Sequence, residues 1–229
     1  MRIEKQKFSL PVINHDQKVL AKEIRKHGDL FCGGSKRGLI VGCSGSGKTN
    51  VMLSLLEHPN GIRFENVYVY SKSLDQPKYE YLRKLLKPIK EIGYYEYDND
   101  ENIVLPHNIK ENSVIIFDDI PCQNQSIIRD YFTHGRHRNT DCFFIFQGYS
   151  SILKRLIREN ANLLILFKQD SLSLKHIYND HCIMDMTFDQ FKSICANCWK
   201  EPFGFLVIDK DCELNAGRYR NKFDSFIYL

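Results

Sequence analysis

The sequence contains no long apolar run. Its longest runs, "NLLILF" at positions 162–167 and "CFFIF" at positions 142–146, have the length of a strand. A membrane-spanning helix needs roughly 20 apolar residues. The N-terminal stretch "MRIEKQKFSLPVINHDQ" also lacks the uninterrupted apolar segment of a secretory signal. We therefore expect a protein without a membrane span that works inside a cell.

The sequence also lacks a strong excess of charge, internal repeats and low-complexity segments. Its formal net charge of +4 permits nucleic acid as a partner without requiring it. Hydrophobic residues make up 43% of the chain and charged residues 26%, as in ordinary globular domains. This composition excludes a disordered or fibrous protein, and a length of 229 residues suits one substantial domain with appendages.

Short β-rich runs alternate with helical patterns along the chain. The strand-like runs are "GLIVGC" (38–43), "NVYVYSK" (66–72), "SVIIFDD" (113–119), "CFFIFQG" (142–148), "NLLILFK" (162–168) and "GFLVID" (204–209). Apolar residues recur at helical spacing at positions 76–87 and 124–132. Apolar strands that alternate with helices are typical of a mainly parallel sheet with helices on both faces. The predicted fold class is therefore α/β.

The stretch "GCSGSGKT" at positions 42–49 fits the phosphate-loop pattern G-x-x-x-x-G-K-[ST]. It lies between a strand-like run and a helical pattern, so that backbone N–H groups at the helix N-terminus would bind a phosphate anion. In this pattern the lysine, here Lys48, reaches the β- and γ-phosphates of ATP, and the threonine, here Thr49, coordinates Mg²⁺. The predicted nucleotide-binding residues are Gly42, Ser44, Gly45, Ser46, Gly47, Lys48 and Thr49.

Polar residues follow two of the other strand-like runs. Asp118 and Asp119 come directly after "SVIIF"; we expect Asp118 to hold Mg²⁺, and Asp119 to orient or deprotonate the attacking water. Gln147 ends the run "CFFIF", at the edge of the sheet where ligands bind in open α/β folds. We expect Gln147 to contact the γ-phosphate or the water. The alternatives are an ordinary turn after a buried strand for the aspartates and an exposed strand end for the glutamine.

Several strings of the sequence occur together in one known family. They are the phosphate loop, "SVIIFDD", "GRHRNTDCFFIFQ" (135–147), "LIRENANLLILFKQD" (156–170) and "GFLVID". With these strings, roughly residues 36–210 resemble the DNA-packaging ATPases of the FtsK-HerA superfamily, above all those of poxviruses, other large eukaryotic DNA viruses and the virus-like Polinton (Maverick) elements.

This resemblance implies a RecA-like P-loop NTPase core of the additional-strand type, in which another strand separates the carboxylate strand from the phosphate-loop strand. It also implies a homo-oligomeric ring that hydrolyses ATP and drives double-stranded DNA into a preformed capsid during virion assembly. The expected partners are then the DNA and a capsid component at the packaging site. The expected location is the host cell, with association to the virion.

The resemblance also implies roles for individual residues. It assigns the nucleotide loop, the metal and base positions and the sensor to Lys48, Thr49, Asp118, Asp119 and Gln147. Ring motors insert an arginine into the neighbouring subunit's site, where it stabilises the charge on the transferred phosphoryl group. Arg136, Arg138 and Arg158 are the candidates; Arg136 and Arg158 are named as catalytic candidates, and which arginine acts on the neighbour stays open. The alternative for each is a surface arginine on a connecting segment.

Two basic clusters are candidates for contact with DNA phosphates. Arg83, Lys87 and Lys90 recur at helical spacing, and "HGRHRN" occupies positions 134–139. Contacts of this kind bind DNA without reading its sequence, as a motor requires. A solvated helix face is the alternative for the first cluster.

The eight cysteines are expected to be free thiols, because an intracellular protein normally keeps its thiols reduced. Cys195 and Cys198 form a CxxC, with Cys182 upstream and Cys212 downstream. Whether these four bind zinc is open, since the second pair is not cleanly spaced. Buried thiols are the simpler interpretation.

The predicted domain organisation has two parts. Residues 1–31 carry a helical pattern that includes Val19, Leu20 and Ile24, and we interpret them as an N-terminal helical appendage. Residues 32–229 form the P-loop ATPase domain, which includes a small cysteine-containing helical segment at about 171–200.

Other functions remain open on the sequence alone. A DNA-dependent ATPase or helicase with the same core could act in replication or DNA transfer. A P-loop kinase for a small molecule would need a lid of arginines over the acceptor, and "SLSLKHIYND" (171–180) offers one lysine there. A scaffold with an inactive nucleotide fold is disfavoured because Lys48, Thr49, Asp118 and Asp119 are all present.

Overall fold

The computed structural model describes residues 27–98, 103–118, 120, 125–135, 139–152 and 155–229. Its strands are β1 (Arg37–Val41), β2 (Asn66–Ser71), β3 (Gly93–Tyr97), β4 (Ser113–Asp118), β5 (Asp141–Phe146), β6 (Leu163–Leu166), β7 (Leu206–Asp209), β8 (Tyr219–Asn221) and β9 (Ser225–Ile227). Its α-helices are α1 (Lys48–Glu57), α2 (Pro77–Leu86), α3 (Gln125–His134), α4 (Arg155–Asn160), α5 (Ser171–Ile177) and α6 (Phe188–Cys198), with a π-helical segment at Tyr178–Cys182. Within these ranges, none of the helices combines the length and the apolar character that crossing a membrane would require.

The strands of the described residues form one nine-stranded sheet in the order β3-β2-β4-β5-β1-β6-β7-β8-β9. The strands from β3 to β6 in this order pair in parallel, and β7, β8 and β9 continue the sheet antiparallel. β5 lies between β1 and β4. The predicted mainly parallel sheet of the additional-strand type is therefore confirmed.

Helices cover both faces of this sheet, and each face has its own core. Because successive side chains of a strand point to opposite faces, Leu39 and Val41 of β1 pack on one side and Ile40 on the other. The first core includes Tyr131 of α3, and the second includes Leu82 of α2. The predicted cover of helices on both faces is confirmed.

Three strands were not predicted from the sequence. Strand β3 pairs with the outer side of β2 and is only partly buried along its length, so it lacks the apolar pattern of a central strand. Strands β8 and β9 have three residues each, which is too short for a recognisable period.

The basic face predicted on the helix after β2 differs in the structure. Helix α2 ends at Leu86, shortly before Pro88, which has no backbone N–H to continue it. Lys90 therefore lies beyond the helix. Arg83 donates from Nε to Glu96 on β3, at 2.8 Å, so its charge is already paired. Lys84 and Lys87 are exposed.

The expectation of free thiols is wrong for two cysteines. Cys32 and Cys212 form a disulfide that joins positions 180 residues apart, because the segment before β1 lies against the turn after β7. Cys182, Cys195 and Cys198 are buried free thiols. Among the described residues, the one group that could offer three metal ligands contains the disulfide pair and Asp209, and the CxxC is not part of it.

Most of the predicted N-terminal appendage lies outside the described residues, including Val19, Leu20 and Ile24. Its described end packs on the core, where the Gly28 amide donates to the Gly61 carbonyl at 2.9 Å. The division of the chain at residue 31 stays a prediction.

Candidate functional site

The phosphate-loop segment connects β1 to α1 through backbone that requires glycine at two points. Gly47, immediately before α1, has a φ of 99°, in the left-handed region where a side chain causes strain. At Gly42, a Cβ would lie 2.6 Å from the Cβ of Phe167, which leaves no room for any other residue. Phe167, the first residue of the "FKQD" string, therefore packs directly against the phosphate loop.

Thr49 and Asp118 meet at the carboxyl edge of the sheet, as the sequence indicated. The Thr49 hydroxyl donates to Oδ2 of Asp118 at 2.9 Å, and both residues are buried. Lys48 extends over the loop, where its Nζ donates to the carbonyls of Gly42 at 2.7 Å and Cys43 at 2.9 Å. The described part of the predicted site therefore forms one cluster.

A tyrosine that was not predicted from the sequence donates to the same carboxylate. Tyr79 on α2 is 1% exposed, and its hydroxyl donates to Oδ2 of Asp118. Burial, with the neighbouring Asp118 charge, raises the pKa of Tyr79 well above its ordinary value. The hydroxyl therefore keeps its proton and remains a donor. Two donors, from α1 and α2, hold one oxygen of Asp118.

A cavity of about 740 Å³ opens beside this cluster, and its size is typical of a small-molecule site. Lys48, Asp118 and Gln147 line it together with loop residues. Gln147 is exposed, so its amide is accessible from the cavity. The structure thus brings Gln147, at the carboxyl end of the additional strand β5, to the same edge as the phosphate loop.

Lys78 adds its ammonium group to the cavity, which Lys48 and Lys72 also line. Its Nζ donates to the Thr49 hydroxyl at 3.0 Å, and the same hydroxyl donates to Asp118. Lys78 was not singled out in the sequence because it precedes Tyr79 in an ordinary helical pattern. With Lys48 it makes the cavity suited to a polyanion.

The donor atoms of this cluster fit a magnesium ion. Mg²⁺ prefers oxygen ligands, and proteins commonly supply them from one or two side chains while phosphates supply others. The Thr49 hydroxyl and the Asp118 carboxylate offer such oxygens, and the Lys78 ammonium shows that a cation is accommodated beside them. In the loop, the buried Ser46 hydroxyl has no hydrogen-bond partner within the described residues.

Arg158 lies on α4 and is not among the described residues that line the cavity. Its guanidinium pairs with Asp180 at 3.2 Å and stacks on the Tyr149 ring, 5.6 Å from its centroid. The Tyr149 hydroxyl in turn contacts His181 Nε2 at 2.7 Å. Burial, followed by the charges of Lys210 and Arg158, lowers the pKa of His181 to about 3. Arg158 is thus part of a packed polar network in its own chain.

Three predicted residues, Asp119, Arg136 and Arg138, lie outside the described residues. Asp119 follows Asp118 directly in the chain. The roles assigned to these three residues stay predictions.

Comparison with known proteins bears on the fold. No protein-family model matches the chain, and no curated protein matches it in sequence. Among solved structures, it is similar to the genome packaging NTPase B204 of Sulfolobus turreted icosahedral virus 2 in complex with sulfate, with a TM-score of 0.53 at 15% identity over 76% of this chain and 91% of that chain. The same NTPase in complex with ATP-gammaS gives a TM-score of 0.52 at 14% identity, over 77% of this chain and 92% of that chain.

The DNA-packaging ATPase B204 of Sulfolobus turreted icosahedral virus gives a TM-score of 0.50 at 14% identity, over 76% of this chain and 92% of that chain. At such identities the similarity concerns the fold. The chain therefore has the fold of these viral NTPases, which confirms the P-loop NTPase core that the sequence resemblance implied.

Proposed function

We propose that the chain is an ATP-hydrolysing motor that moves double-stranded DNA into a preformed capsid during virion assembly in the host cell. The observation that carries the proposal is the cluster of Lys48, Thr49 and Asp118 beside a cavity of about 740 Å³. The fold shared with B204, a genome packaging NTPase, supports packaging as the purpose of this hydrolysis.

In this proposal the loop binds the nucleotide's phosphates. Backbone N–H groups of the loop face the phosphates at the start of α1, where the helix dipole also favours an anion. The contributing residues are Gly42, Ser44, Gly45, Ser46, Gly47, Lys48 and Thr49. Lys48 exchanges its present carbonyl acceptors for phosphate oxygens, which are stronger acceptors for a charged donor.

Thr49 and Asp118 hold Mg²⁺ in this proposal. When bound, the ion neutralises charge on the phosphates. Tyr79 fixes the carboxylate by donating to one of its oxygens, and Lys78 provides a further positive charge near the same hydroxyl.

The remaining roles concern the water and the transferred phosphoryl group. Asp119 orients or deprotonates the water, and Gln147 contacts the γ-phosphate or the water from the cavity wall. Arg136 is the better candidate for insertion into a neighbouring site, because Arg158 is engaged by Asp180 in its own chain. This division requires a ring of identical subunits, so we propose a homo-oligomer docked on a capsid component.

DNA contact needs exposed cations that bind phosphates without reading bases. Lys84 and Lys87 at the end of α2 and Lys90 beyond it are exposed, and the segment at 134–139 contains further basic residues. We propose that the second cluster couples DNA to hydrolysis, because it leads into β5 and Gln147.

The experiment is phosphate release from ATP by the purified chain with Mg²⁺. We expect turnover that requires Mg²⁺ and is lost in Lys48→Ala. Assayed without DNA, Lys84→Ala, which removes an equal charge from exposed helix surface outside the cavity, serves as the matched control and should retain turnover. Undiminished hydrolysis by Lys48→Ala would contradict the assignment of the loop, and hydrolysis that appears only with a small-molecule acceptor would identify a kinase.

A further inference from the structure

Phe203 occupies a backbone conformation that aromatic residues rarely adopt. Its φ is 58°, in the left-handed region where a bulky side chain is an outlier. The Gly204 amide donates to the Glu201 carbonyl at 3.1 Å, which closes a turn over Glu201–Gly204. Pro202 is the second residue of the turn, and a positive φ at the third is typical of a type II turn, where glycine or asparagine is preferred. The sequence therefore carries a strained phenylalanine where an unstrained residue would close the same turn.

The strain is not explained by burial of the ring. The Phe203 side chain is 68% exposed, so its apolar surface contributes little to the core. Strained residues persist where the surrounding structure fixes them, and they cluster at ligand sites. The following residue is fixed by packing, since a Cβ on Gly204 would lie 2.1 Å from the Cys198 carbonyl at the end of α6. The turn thus holds the ring exposed to solvent instead of burying it in the core.

The ring is presented at the phosphate-loop cavity. Phe203 is one of the residues that line it, and its Cδ1 lies 3.7 Å from the position that a Cβ on Gly47 would take. The ring of Phe167 lies near the same point, with its Cε1 3.8 Å from that Cβ position, and Phe205 packs against Phe167 and Phe223, with ring centroids 5.3 and 5.5 Å apart. An exposed aromatic ring therefore lies at the start of α1, next to a cluster of packed phenylalanines.

We propose that Phe203 is the stacking platform for the purine base of the bound nucleotide; this rests on the proposed function of the cavity. The loop and its lysines bind phosphates, which carry no information about a base, whereas an exposed aromatic face binds the π-face of any base. Stacking without hydrogen bonds predicts little discrimination between ATP and GTP. The strained turn is retained because it holds the ring over the cavity.

The test compares binding of ATP with binding of inorganic tripolyphosphate, both with Mg²⁺, by titration calorimetry. For Phe203→Ala we expect the ATP affinity to fall about 5- to 150-fold, the range of one stacked base, with the tripolyphosphate affinity unchanged. Phe203→Trp should restore ATP binding. Tyr228→Ala removes an aromatic ring that is 69% exposed and does not line the cavity; it should bind both ligands as the unmodified chain does.

A second variant separates binding from folding. Phe203→Gly relieves the left-handed strain, so it should raise the urea midpoint of unfolding while it weakens ATP binding. An ATP affinity of Phe203→Ala equal to that of the unmodified chain, whatever its turnover, would overturn the inference. If the unmodified chain binds neither ATP nor tripolyphosphate, the proposed function itself fails, and the two failures are distinguishable.

Discussion

The hydrogen bond from Tyr79 to Asp118 offers a quantitative prediction, because Tyr79→Phe removes one oxygen atom and leaves the ring in place. Tyr79 is 1% exposed and Asp118 is 8% exposed, so water replaces the lost donor poorly. The Thr49 hydroxyl, at 2.9 Å, remains as the other donor to the same oxygen. Tyr79→Phe should therefore lower the free energy of unfolding by the contribution of a buried hydrogen bond to a charged acceptor.

Bonds of this kind contribute about 1.5–3 kcal/mol to the free energy of unfolding. For a domain of this size, that corresponds to a fall in melting temperature of about 3–12 °C. The assay is urea unfolding followed by circular dichroism, in which the midpoint should fall while the slope stays constant.

Tyr81→Phe is the matched control, since Tyr81 lies on the same helix and is 50% exposed. Its urea midpoint should stay at that of the unmodified chain. If Tyr79→Phe unfolds at the same urea concentration as Tyr81→Phe, the bond does not hold Asp118, and the proposed role of Tyr79 in the metal site is wrong.

Three further predictions concern charge and covalent structure. Lys78→Ala should lower kcat for ATP hydrolysis by roughly tenfold to a hundredfold, because it removes a preorganised charge from the phosphate site; equal kcat values for Lys78→Ala and Lys84→Ala would exclude this role. Folding lowers the pKa of His181 from 6.5 to about 3, so between these pH values the unfolded chain binds more protons than the folded chain. The free energy of unfolding should therefore be highest above pH 6.5 and fall towards pH 3, by up to about 1.4 kcal/mol per pH unit. His181→Gln should flatten this dependence, measured by urea unfolding from pH 4 to 7, and parallel curves would refute it. Peptide mass spectrometry without reductant should find Cys32 linked to Cys212, and two separately alkylated peptides would show that the bond is absent.

The centre of the site could be predicted from the sequence because each of its residues belongs to a short local pattern. Lys48 and Thr49 belong to one contiguous motif, and Asp118 ends an apolar run. Carboxyl ends of parallel strands meet at one edge of a sheet, so the two strands converge there even with β5 between them.

The contacts that complete the site depend on how helices, turns and strands pack together, which no short sequence motif predicts. Tyr79 reaches Asp118 from 39 residues away because α2 docks on the face above β2 and β4, and its apolar spacing predicts only a core position. Phe203 lies in a short turn between α6 and β7 whose sequence predicts a turn but not its place over Gly47. Cys32 and Cys212 meet because β7 runs antiparallel to β6, a strand direction that the sequence pattern does not reveal.

The proposed function requires that the site of Lys48 and Asp118 hydrolyses ATP in order to move DNA. The measurement is steady-state ATP turnover at one fixed salt concentration, with and without linear double-stranded DNA, for the unmodified chain and for Lys48→Ala. We expect DNA to raise the turnover of the unmodified chain and Lys48→Ala to be inactive in both conditions. Turnover could instead be lost in Lys48→Ala but be the same with and without DNA. That result would agree with the assignment of the phosphate site and contradict the claim that the site drives a DNA motor.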